Sequence, residues 1–126
     1  MNAKLLMSAS AIVMGMAGIT LSFFPQEFAN HFDIAAANIV ILQLLGALYF
    51  SFAVLNWTAK GNLTGGIYRR PVANGNLIHF GIGGLTLLKF ASRNISLPYI
   101  WIATVIYLTF AMFFGFVLFT NPVIKK

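Results

Sequence analysis

Residues 5–24 read LLMSASAIVMGMAGITLSFF, twenty positions without a charged side chain, closed by Pro25. At about 1.5 Å of rise per residue, a helix of that length crosses a hydrocarbon core of roughly 30 Å. A secretory signal peptide is the competing reading, because Lys4 precedes the run and Ala17 and Gly18 are small. The apolar region of such a peptide usually extends over only about 7–15 residues. The length therefore favours a membrane span.

Two more uncharged runs follow, together with a more polar one holding Asn74, Asn76, His79, Thr86 and Lys89, giving expected spans at 5–24, 37–57, 72–91 and 98–119. Pro71 suits the first helical position of the third, where its missing N–H costs nothing. Composition agrees: 60% of the 126 residues are hydrophobic and 8% charged, whereas a soluble domain carries about 25% charged residues to face water. The expected fold is all-α, a single membrane domain built as a four-helix bundle.

The net charge of +6 does not read as a nucleic-acid surface, because the basic residues flank apolar runs and do not line a helix face. Flanking Lys and Arg orient spans, with the cytoplasmic loops the more basic. A cytoplasmic amino terminus puts Lys4, Lys60, Arg69, Arg70, Lys125 and Lys126 inside and leaves Lys89 and Arg93 outside. Both termini are thus expected in the cytoplasm. Glu27 and Asp33, the two acids, fall in the first outer loop. There Phe24, Phe28 and Phe32 recur every fourth residue among polar neighbours, which predicts a short amphipathic helix in the membrane interface. His31 belongs to that helix and reads as a polar residue at the water boundary.

Helices in lipid associate through small residues and close packing. Ser8, Ala11, Gly15, Gly18 and Ser22 form such a stripe on the first span, and Gly75, Gly83 and Gly84 offer contacts on the third. The partner of each stripe, the same chain or a second copy, is left open by the sequence. Polar residues fall in register as well. Asn76, His79, Gly83 and Thr86 share one face of the third span; Asn38, Leu42, Leu45, Tyr49, Phe52 and Asn56 share one face of the second, with Gln43 beside it. If the two spans are antiparallel neighbours, matching their depths pairs Tyr49 with His79 and Gln43 with Thr86.

Gln43, Tyr49, Asn76, His79 and Thr86 therefore form the candidate intramembrane polar site. His79 lies roughly 10 Å inside the cytoplasmic boundary, and an ionisable residue at that depth is a functional candidate by default. Packing and hydrogen bonding are nonetheless the favoured reading over proton or ligand handling, since neutral histidine is cheaper to bury than an acid or lysine and a polar group in hydrocarbon seeks a partner. An enzyme is not expected: both carboxylates lie outside the spans, so no acid can orient His79. Two histidines at different depths do not make the three or four convergent ligands of a metal site. No cysteine is present for thiol chemistry. No cofactor is expected.

Gly61, Gly65 and Gly66 precede Ile67-Tyr68-Arg69-Arg70-Pro71 in the cytoplasmic loop. Tyr68, Arg69 and Arg70 at the bilayer surface suit an anionic lipid headgroup, although positive-inside topology alone accounts for the arginines. The glycines lack the strand–loop–helix setting and the terminal Lys-Ser/Thr of a nucleotide loop.

In size and span count, and in Gln43-Leu-Leu-Gly46-Ala47-Leu-Tyr49, Leu55-Asn56-Trp57 and Gly65-Gly66-Ile67-Tyr68-Arg69-Arg70-Pro71, the chain resembles small four-helix bacterial inner-membrane proteins of the DoxX-like and domain-of-unknown-function kind. The resemblance implies a bacterial inner membrane and carries over no catalytic residue. The leading expectation is a non-catalytic membrane component that binds lipid or a membrane-protein partner, with homo-oligomers allowed. The alternatives are a small-solute or proton carrier or channel acting as an oligomer, and a binder of a hydrophobic small molecule such as a quinone.

Overall fold

The computed structural model describes residues 2–61 and 69–120. Among the described residues the chain is helical throughout, without strands: α1 (Ala3–Phe23), α2 (Pro25–His31), a 3-10 turn (Ala36–Asn38), α3 (Ile39–Ala59), α4 (Arg69–Arg93) and α5 (Pro98–Thr120). Among the described residues three stretches are long and apolar enough to cross a membrane: Ala3–Phe23, Ala36–Ala59 and Pro98–Thr120. α4 is the longest helix at 25 residues and also the most polar of the long ones. It begins at Arg69, upstream of the expected start, which places Pro71 inside its first turn and not at its head. First-turn N–H groups have no acceptor within the helix, so a proline there breaks no bond.

Local chemistry sets the helix ends. Asn2 caps α1, its side-chain oxygen accepting from the N–H groups of Lys4 at 3.1 Å and Leu5 at 3.4 Å. Pro25 opens α2, matching the helix expected in this loop. At the far end of α2, Asp33 adopts a positive φ of 53°, and the Ile34 N–H reaches back to the Ala29 carbonyl at 2.8 Å. A left-handed residue followed by that bond is a Schellman stop, and aspartate tolerates the conformation better than most residues. The rings of Phe28 and Phe32 meet at a tilt of 46°, with centroids 4.6 Å apart. Between α4 and α5 the turn is tight: the Asn94 N–H is shared by the Phe90 and Ala91 carbonyls, and Leu97 N–H donates to Asn94. Pro98 then starts α5, supplying a fixed φ where no donor is needed.

The chain divides into two compact units, Met7–Gly61 in one and Met1–Leu6 with Asn62–Lys126 in the other. In the first, α1 and α3 run antiparallel with their main chains in near contact. A β-carbon on Gly18 would stand 2.7 Å from the Phe50 nitrogen, and one on Gly46 would stand 2.7 Å from the Ser22 nitrogen. One on Gly15 would meet Ala53 at an ordinary 3.6 Å. The small-residue stripe Ala11, Gly15, Gly18 and Ser22 thus has α3 of the same chain as its partner. α2 lies against α3 in the same unit.

In the second unit α4 packs on α5 through rings. Phe80 is 1% exposed; it stacks on Phe110 at 4.8 Å and Phe114 at 5.9 Å, and meets Tyr107 edge-on at 5.2 Å. Gly83 and Gly84 are covered by the side chains of Tyr107 and Leu108, at 2.6 and 2.7 Å from where their β-carbons would be.

Candidate functional site

The structure buries its polar side chains in two places. In the first unit Asn56 is wholly buried on α3, and its amide nitrogen donates to the Ser10 hydroxyl at 3.0 Å. Ser10, equally buried on α1, donates in turn to the Met7 carbonyl at 3.0 Å. The Met14 sulfur lies 4.0 Å from the same amide nitrogen, a weak acceptor at the edge of reach. This Asn56–Ser10–Met7 relay ties the two helices together at one depth. It ends on a main-chain carbonyl, so the serine proton is already committed.

In the second unit Asn76 is fully buried, its side-chain nitrogen donating to the Val72 carbonyl one turn back at 2.9 Å. Thr104 on α5, 1% exposed, does the same to Ile100 at 2.7 Å. His79 is half-buried beside these; its ring lies 5.0 Å from Phe80 and 5.5 Å from Tyr107. The buried face of α4 runs through Ala73, Asn76, Phe80 and Ala91. Asn76 is on it and His79 flanks it. Thr86 is exposed, its hydroxyl donating to Ile82 at 2.9 Å. A threonine closing on its own helix needs no partner from a neighbour.

On α3, Gln43 is exposed and Tyr49 half-buried. These two belong to one unit, and Asn76, His79 and Thr86 to the other, so the Tyr49–His79 and Gln43–Thr86 pairings stand as expectations for a double-mutant cycle. Within its own unit, the ring of His79 has Phe80 on its own helix and Tyr107 on α5 as aromatic neighbours. Of the three residues expected at a lipid headgroup, Arg70 is exposed at the start of α4. Tyr68 and the side chain of Arg69 lie outside the described residues. Glu27, His31 and Asp33 are exposed around α2.

Ser10, Thr104 and Tyr107 were not among the expected site residues. The signal for Tyr107 was present: α4 and α5 are joined by a four-residue turn at 94–97, and depth matching across it sets Tyr107 level with Gly83. Ser10 could be found the same way only after α1 and α3 were known to be neighbours. Among the described residues no three His, Asp or Glu side chains converge as metal ligands. No family model, curated protein or solved structure matches the chain.

Proposed function

We propose that the chain is a non-catalytic, multi-pass component of a bacterial inner membrane that works by engaging lipid or a protein partner. In this reading it makes four spans, with α4 as the third, and keeps both termini in the cytoplasm. Support for α4 comes from its length, about 37 Å at 1.5 Å per residue, and from where its polar groups go. Asn76 and Thr86 turn back on their own helix, while Arg69, Arg70 and Arg93 stand at its ends. The excess of Lys and Arg in the loops assigned to the cytoplasm supports the orientation. Membership of the DoxX-like group is proposed on the residues already quoted.

The observation that carries the reading is the way buried polar side chains are used. Asn76, Thr104 and Ser10 each donate to a carbonyl one turn back, and Asn56 donates to Ser10. Residues lining a solute path would instead keep donors and acceptors available to water or cargo. The test is thiol accessibility in intact membranes, since the chain has no cysteine of its own. With Arg70→Cys as the labelled control, Asn76→Cys and His79→Cys are expected to resist a water-soluble maleimide while thermal unfolding shows the fold intact. Labelling at both positions would refute a dry core and favour the carrier or channel.

A further inference from the structure

On the surface of the α1–α3 pair lies a shallow apolar groove of about 230 Å³, lined by Ala11, Ile12, Ala53, Val54 and Trp57. Ala11 and Ala53 supply its small side chains, and Ala53 stands opposite Gly15, so little fills the space beside them. Pockets for drug-sized or cofactor-sized ligands are usually larger, about 300–1,000 Å³, and enclose most of the molecule. This one is open along its length, a shape suited to a short stretch of acyl chain. At one end Lys60, the C-cap of α3, is half-buried, and its ammonium lies 3.0 Å from the centre of the Trp57 ring. The indole face and the carboxyl end of α3 both favour a cation at that spot. A ring occupies only one side of an ammonium, which leaves N–H groups on its other side to meet an anion.

We propose that this groove is a site for one anionic phospholipid, its acyl chain against Ala11, Ala53 and Trp57 and its phosphate on Lys60. The inference deepens the lipid-binding reading above and rests on it. The chemistry selects the occupant. The apolar floor takes hydrocarbon without regard to headgroup, whereas a cation fixed at the rim distinguishes an anionic headgroup from a zwitterionic one. Ala53 and Lys60 are seven residues apart, about 10 Å along the helix axis, which places the headgroup above and the chain below, as in a leaflet.

Trp57 reports occupancy directly once the other tryptophan is removed by Trp101→Phe. The full chain would be reconstituted in phosphatidylcholine vesicles doped with acyl-brominated lipid carrying either a phosphatidylglycerol or a phosphatidylcholine headgroup. Brominated phosphatidylglycerol is expected to quench Trp57 with about fivefold higher apparent affinity. Lys60→Gln should abolish that preference, Lys60→Arg should keep it, and Ala53→Leu should weaken quenching by both lipids. Equal quenching by the two lipids in the Lys60 protein would overturn the proposal. So would the absence of quenching by either, which would mean that protein, such as a second copy, covers the groove. Labelling at positions 76 and 79 sinks the dry-core reading without touching this result, so the two failures are separable.

Discussion

In the α1–α3 pair the closest approach is between main chains: Gly18 admits the Phe50 backbone and Gly46 admits the Ser22 backbone. In the α4–α5 pair the closest approach is made by side chains, with Phe80 wedged among Tyr107, Phe110 and Phe114. Both solve one problem, helix association where lipid removes most of the hydrophobic drive. The first relies on near-flat helix surfaces and one buried hydrogen-bond relay, the second on filled volume and ring contact. A surface packed backbone to backbone has nothing that can move aside, whereas a ring can tilt. The two pairs should therefore respond differently to the same kind of substitution.

The largest effect should come from emptying the aromatic pair. Phe80→Ala removes a ring that is 1% exposed and is expected to cost about 3–5 kcal/mol in a reversible SDS or thermal unfolding titration. A cost near that of an exposed ring, such as Phe119→Ala, would mean that the α4–α5 stack contributes little. Next comes a graded glycine series that sets backbone against side chain. Gly18→Ala drives a methyl into the Phe50 backbone and should cost about 1–3 kcal/mol. Gly83→Ala meets only the Tyr107 ring and should cost about 1 kcal/mol, by ring tilt. Gly15→Ala, in ordinary contact with Ala53, should be neutral within error. A reversed order for Gly18 and Gly83 would break the distinction. Smaller than the cost of opening the aromatic pair is the coupling of Asn56 and Ser10 in a double-mutant cycle with Asn56→Leu and Ser10→Ala. It should fall at about 0.6 kcal/mol, the average of interhelical hydrogen bonds in lipid, and stay below about 1.7 kcal/mol. Zero coupling would remove the relay from the account.

Much of the helical layout was legible in the sequence, because long, mostly apolar runs and the prolines at 25, 71 and 98 fix where helices can lie. The helix at Pro25–His31 was legible from its phenylalanine spacing. The small-residue stripe of α1 was visible too, but its partner was not, since glycines mark a surface that allows close approach without naming what approaches. The polar site was harder to read. Helical spacing grouped Asn76, His79 and Thr86 on one face, yet the actual buried face is turned toward Asn76 and Phe80 and leaves Thr86 exposed. The cause is that Thr86 satisfies its hydroxyl on Ile82, so polarity alone does not draw it inward. Asn56 sat in the expected α3 stripe; its bond to Ser10 depended on the α1–α3 register, which follows from the main-chain contacts at Gly18 and Gly46.

That intramolecular α1–α3 contact is the claim most open to a direct test. A β-carbon at position 15 would stand 3.6 Å from that of Ala53, within the roughly 3.5–4.5 Å spanned by a disulfide, and the chain carries no native cysteine to compete. Mild oxidation of the Gly15→Cys/Ala53→Cys protein in membranes should give a disulfide within one chain, seen as an altered monomer mobility that does not depend on protein density. Covalent dimers as the sole product would contradict the account, as would the absence of any cross-link while each cysteine alone remains reactive.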